Sequence, residues 1–199
     1  MTSVQVLAGC RVIVELPVAQ LDDLVAAGEV LIQERLDCWT VPYSRRDELP
    51  GLRAMFGRRV RLGVADLRTA DQVQDALAVE PDLVLSPFAR ADLVAAASTT
   101  PLVLGGLTPS ELAAALRFGT AAVQVVPCDA LGSLYARTVT GMFAGEPLIA
   151  TGRLERFQCE LWLDAGAAAV SPSGAVTTAD VEDPDLADLR RRAQGYNFG

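Results

Sequence analysis

Lysine and histidine are both missing from the 199-residue sequence, so all 17 of its basic side chains are arginine. Without lysine there is no amine for a Schiff base, no anchor for pyridoxal phosphate and no P-loop lysine. Without histidine there is no imidazole base or imidazole metal ligand, which excludes Ser-His-Asp and Cys-His catalysis. Cysteine is scarce: Cys10, Cys38, Cys128 and Cys159 are widely spaced with no CxxC pair, signalling neither a zinc knuckle nor a disulfide framework. Reduced thiols are expected. No apolar run reaches the roughly 18 residues that a membrane-spanning helix needs. Residues 1–9 also lack the basic start and long apolar core of a signal peptide, so a cytoplasmic protein is expected.

What is present fits one well-buried domain over residues 1–199, with 51% hydrophobic residues. The 25 acidic residues outnumber the basic ones and leave a net charge of −8, a field that repels polyanions. Neither nucleic acid nor an anionic membrane is an expected partner. Short runs rich in Val, Leu, Ile and Ala cover residues 11–16, 35–41, 59–64, 82–86, 101–105, 121–126, 147–151 and 167–171. Each is followed by a stretch of helical periodicity, and most of the runs are continuously apolar rather than alternating, as parallel strands covered by helices should be. Residues 20–32 place Leu21, Leu24, Val25, Gly28, Leu31 and Ile32 on one helical face. Thr108-Pro109-Ser110-Glu111 starts another helix with a Thr N-cap, Pro at the first position and Glu at the third. Asp183-Pro184 is expected to cap a last helix carrying Leu186 and Leu189, its dipole end met by Arg190, Arg191 and Arg192. Eight strand-helix units in this length make a (β/α)₈ TIM barrel of small size, an α/β fold. The competing open doubly wound sheet lacks a G-x-G-x-x-G after the first strand.

The segment LGGLTPSELAAALRFG at 104–119, followed by AAVQVVPCD at 121–129, resembles the fifth and sixth units of the 2-keto-3-deoxy-6-phosphogluconate (KDPG) and 4-hydroxy-2-oxoglutarate (KHG) aldolases. The similarity extends through LGVADL at 62–67 (family GAGT), LSPFA at 85–89 (ISPG), ATGRL at 150–154 (PTGGI) and ELWLDAGAAAVSPSGAV at 160–176. The resemblance implies a small (β/α)₈ barrel, a homotrimer and a small anionic oxo-acid or sugar-acid as ligand. It also locates the family's Schiff-base lysine at Gln124, whose amide nitrogen is not nucleophilic. The family's acid/base glutamate falls on Cys38 without a gap or on Asp37 with a gap of one. Its substrate-binding arginine falls near Pro42, and the arginine after the first strand on Pro17. The threonine of GAGT becomes Asp66. Thr151 and Gly152 are kept, the next glycine is Arg153, and the phosphate loop reads Ser171-Pro172-Ser173-Gly174. Pro172 has no N–H to give a phosphate.

Strand ends of such a barrel bring Glu15, Asp37 or Cys38, Asp66, Gln124, Cys128, Asp129, Thr151, Arg153, Ser171 and Ser173 to one mouth. Asp37, Asp66 and Gln124 are the candidate catalytic residues, and Thr151, Gly152, Arg153, Ser171 and Ser173 the candidate substrate-binding ones. Asp66 with Asp37 or Asp129 binds Mg²⁺ or Mn²⁺ on one reading; on another, one carboxylate raised in pKa by its neighbours works as a base. No other cofactor is called for. Against both stands a plainer reading, that strand-end acids are solvated or paired with arginines. Cys128, just after Pro127, is either a thiol activated by a helix dipole or an inert apolar filler. Two functions follow: a lysine-independent lyase or isomerase, or a catalytically silent homologue that binds a small molecule or a protein.

Overall fold

The computed structural model describes residues 9–183 and 185–198. Eight parallel strands follow chain order around a sheet: β1 (Val14–Glu15), β2 (Cys38–Pro42), β3 (Arg61–Ala65), β4 (Leu83–Leu85), β5 (Leu102–Gly106), β6 (Ala122–Val125), β7 (Leu148–Gly152) and β8 (Ala169–Pro172). The ring is closed beside β1 by a parallel bridge from Val12 to Val170, where the Ile13 N–H donates to the Val170 carbonyl at 2.9 Å. Around it run α1 (Asp23–Gln33), α2 (Leu49–Phe56), α3 (Ala70–Leu77), α4 (Ala91–Ala97), α5 (Pro109–Arg117), α6 (Ser133–Met142), α7 (Arg156–Asp164), α8 (Thr178–Glu182) and α9 (Ala187–Gly195). This is the expected small (β/α)₈ barrel.

Strand periodicity divides the core in two. One set of side chains points outward and packs under the helices, including Trp39, which meets Phe56 edge-on at 4.8 Å between ring centroids. The other points to the barrel axis, where Ile13, Cys38, Leu83, Val103, Ala122, Ile149 and Ala169 form an apolar plug. Side chains two residues further along a strand share its face. Above Ile13, Cys38, Ala122, Ile149 and Ala169 therefore stand Glu15, Thr40, Gln124, Thr151 and Ser171, and the interior turns from apolar to polar in one step.

Local sequence explains how the helices reach this frame. Thr108 and Glu111 form the expected capping box. The Glu111 carboxylate accepts from the Thr108 and Leu107 N–H groups at 2.8 and 2.9 Å, and these backbone donors hold it below the usual carboxylate range. Helix α1 lies close to the sheet because Gly28 has no side chain; a Cβ there would stand 2.3 Å from the Phe56 ring. One expectation needs correction. Helix α9 is not capped by Asp183: it starts at Ala187 behind a left-handed Leu186, with the Ala187 N–H donating to the Asp185 carboxylate at 3.1 Å. Pro184 lies outside the described residues. The segment before it forms α8, capped by Thr177 and Asp180. Arg190, Arg191 and Arg192 pair with Glu34, Asp188 and Asp180 and so decorate a helix rather than a binding patch.

Gly28→Ala is expected to destabilise the protein by about 1–3 kcal/mol through overpacking, read as a lowered Tm. Thr108→Ala should lower stability by about 1 kcal/mol through the lost cap. Because Glu111 is held in its ionised form, its contribution is present above the ordinary carboxylate pKa and lost as pH falls through its lower folded value. The deficit of Glu111→Ala against the parent should therefore shrink in acid denaturation profiles.

Candidate active site at the barrel mouth

The C-terminal ends of the strands surround an open cavity of about 350 Å³. Its floor is the polar interior layer, and its rim is built from the segments that follow β3, β6, β7 and β8. Glu15, Thr40, Asp66, Gln124, Asp129, Thr151, Gly152, Arg153, Ser171 and Ser173 line it.

Gln124 is buried on β6, and its Nε2 donates to the Ser86 carbonyl at 2.8 Å. That bond fixes the amide and leaves the second N–H and Oε1 for an occupant of the cavity. Thr151, on β7, holds a buried Oγ1 with no hydrogen-bond partner among the described residues. Asp66 stands on the rim with φ +60°, a left-handed conformation that Asp tolerates better than most residues. The Asp129 carboxylate lies over the backbone at Gly152, where a Cβ would come within 2.5 Å of Oδ1. Arg153 is exposed on the rim, and the ion pairs among the described residues leave it out.

Glu15 is the electrostatic centre. It ends β1 opposite Thr40 on β2. Burial pushes its carboxyl above the usual carboxylate range and the nearby Asp66 charge adds to this, while Arg45 and a hydrogen bond from Ser173 oppose it. Arg45 stands behind rather than in the cavity, its guanidinium donating to the Leu16 and Pro17 carbonyls and to Glu48.

The structure thus gathers Asp66, Gln124, Thr151, Gly152, Arg153, Ser171 and Ser173 as expected, but not Asp37. That residue precedes β2, at the opposite end of the strand, where its carbonyl accepts from the Arg61 N–H at 2.8 Å. The strand climbs from Cys38, so an acid before it lies at the end of the barrel away from the mouth and cannot join Asp66 in a metal site or a base pair. Cys38 is no replacement: it sits in the apolar plug, where a hydrogen bond to Cys10 and burial push its thiol up. Cys128 is also held protonated, pushed up to about 12 by burial and the adjacent Asp129. Among the described residues no group of three or more Cys, Asp or Glu side chains is arranged to hold a metal ion. Glu15 stood on the rim in the sequence, but its importance and that of Thr40 went unread. The signal was the two-residue step from the interior positions Ile13 and Cys38.

An eight-stranded parallel barrel with a polar cavity at the C-terminal ends of its strands defines a small (β/α)₈ protein. The family model "KDPG and KHG aldolase" matches residues 4–191, and the chain belongs to that family. Among solved structures it is similar to the KDPG aldolase of Legionella pneumophila with pyruvate captured as a covalent carbinolamine (TM-score 0.85, 21% identity, 98% of each chain covered). It is also similar to the 2-keto-3-deoxy-6-phosphogluconate aldolase of Zymomonas mobilis ZM4 with 3-phosphoglycerate, at TM-score 0.81 and 19% identity over 98% of this chain and 95% of that one. The fold reaches further, to a thiamine phosphate pyrophosphorylase from Pyrococcus furiosus (TM-score 0.67, 15% identity, 93% and 92% covered). Among curated proteins none matches.

Because the folded state favours the neutral form of Glu15, the stability tied to it is full below the ordinary carboxylate pKa and lost as pH rises through its raised folded value. Glu15→Gln should therefore melt above the parent protein at pH 7, with the gap closing towards pH 4.

Proposed function

We propose that this chain is a lysine-independent member of its family, transferring a proton next to the carbonyl of a small oxo-acid or sugar-acid. The observation that supports this most directly is a half-buried Glu15 of raised proton affinity beside Asp66, at the floor of a polar cavity. A carboxylate so perturbed in a cleft is suited to general acid/base work.

In this reading Arg153 pairs with the substrate carboxylate. Thr151, Ser171 and Ser173 bind its polar groups, and Gly152 keeps the wall open beside Asp129. The ionised Glu15 carboxylate takes the proton from the carbon adjacent to the carbonyl. The electron pair of that C–H bond moves to form the enolate, whose oxygen accepts from the free N–H of Gln124. Returning the proton to the same carbon gives exchange. Where that carbon carries a hydroxyl the intermediate is an enediolate, and isomerisation follows when the former carbonyl carbon takes the proton while the hydroxyl proton passes to the former carbonyl oxygen, leaving the new carbonyl on the neighbouring carbon. Asp66 acts through its charge, strengthening Glu15 as a base. Asp37 has no part, being at the other end of the barrel.

A homotrimer in the cytoplasm belongs to the same proposal and rests on kinship. Light scattering is expected to give three times the mass of one 21.1 kDa chain.

Proton transfer is tested with pyruvate in D₂O, following loss of the methyl signal by proton NMR. The wild-type chain should exchange the methyl protons faster than buffer, more so as pH rises through the Glu15 pKa, and borohydride should trap no adduct. Glu15→Gln should lower the rate by about 100-fold, the usual scale of a lost general base. Cleavage of KDPG itself should be undetectable. No exchange above buffer, or a rate indifferent to Glu15→Gln, would overturn the assignment.

A further inference from the structure

The mouth holds a second piece of information, in where its backbone N–H groups and its charges lie. An anion as highly charged as a phosphate is held in proteins by convergent N–H groups and cationic side chains. In the segment after β8, Pro172 has no N–H. The Ser173 N–H donates to the Gly152 carbonyl at 2.8 Å, the Ala175 N–H to the Pro172 carbonyl at 3.3 Å and the Thr177 N–H to the Asp180 carboxylate at 2.7 Å. After β7 the same holds: the Leu154 N–H donates to the Gly152 carbonyl at 2.9 Å and the Glu155 N–H to the Gln158 side chain at 2.9 Å. These five donors already have partners within the fold, which leaves the N–H groups of Arg153, Gly174 and Val176 as the loop donors an anion could meet.

Charge points the same way. Three carboxylates, Glu15, Asp66 and Asp129, line the cavity against one guanidinium, that of Arg153. Arg45 is occupied by two carbonyls and Glu48. A phosphate would add about 1.5 to 2 negative charges to this wall. A ligand hydroxyl is instead a donor that carboxylates accept from in short, charge-assisted bonds. Gln124 Oε1 and the unpartnered Thr151 Oγ1 add further acceptors.

We propose that the cavity selects an unphosphorylated, polyhydroxylated 2-oxo acid with a single carboxylate, and rejects the phosphorylated counterpart. The inference rests on the reading of the mouth as an oxo-acid site and names its substrate class. The carboxylate of the ligand lies against Arg153, and its hydroxyls donate to the acid-lined side.

Calorimetric titration of the full chain at low ionic strength tests this, with 2-keto-3-deoxygluconate and its 6-phosphate as probes. The unphosphorylated compound should bind at least about tenfold more tightly. Raising salt should narrow the gap, because screening weakens the repulsion of the phosphate. Asp66→Asn should narrow it too, and Arg153→Ala should weaken the unphosphorylated compound. Equal or tighter binding of the phosphate overturns the selection and leaves the oxo-acid site standing. A folded protein that binds neither compound, nor pyruvate in a parallel titration, overturns that underlying reading and this one with it.

Discussion

Inside a parallel barrel every second residue of every strand points at the same axis, and this constraint organises the whole molecule. Ile13, Cys38, Leu83, Val103, Ala122, Ile149 and Ala169 fill one level with apolar atoms. The plug gives the cavity a floor and a single open end. It also sets the dielectric beneath the next level, where Glu15 and Gln124 stand. A carboxylate resting on that plug loses part of its water, and loss of water is the largest cause of the upward shift at Glu15. The packing that stabilises the barrel is thus also what makes its first acid a stronger base.

Much of this frame was legible in the sequence because the strands are covered on both sides and most of them read as mainly apolar runs. Helix α5 was legible for a different reason: Thr108, Pro109 and Glu111 are each suited to one position of a helix start, and together they fit little else. The mouth was harder to read. Thr151, Gly152, Arg153, Ser171 and Ser173 follow long apolar stretches that fix their place to within a residue. Asp37 does not. The chain enters β2 through Arg35 in a left-handed conformation, so the strand begins only at Cys38. A one-residue choice of register there exchanges one face, and one end, for another. Similarity alone could not decide between Asp37 and Cys38, and the structure gives the mouth neither. Helix α8 was missed because its five residues are too few to show a period.

Family membership and the absence of lysine are reconciled by electrostatics. An amine at the Gln124 position would face Glu15 and Asp66. Opposite charges at that range favour the ammonium form, which is not a nucleophile. In the proposed proton transfer the position is served by a neutral hydrogen-bond donor instead of an amine. Gln124 avoids the conflict: its neutral amide is buried at the cost of one hydrogen bond, which the Ser86 carbonyl supplies.

The exchange also acts in the other direction. With no ammonium at the centre of the mouth, nothing on the floor neutralises Glu15. The guanidinium that opposes its shift, Arg45, is shared with Glu48 and two carbonyls. The charge of Asp66 then adds to burial instead of being cancelled, and both raise the proton affinity of Glu15. Under the proposed function the absence of an amine and the raised proton affinity of Glu15 belong together. The barrel then only moves protons, and a carboxylate of raised proton affinity at the cavity floor suits that task.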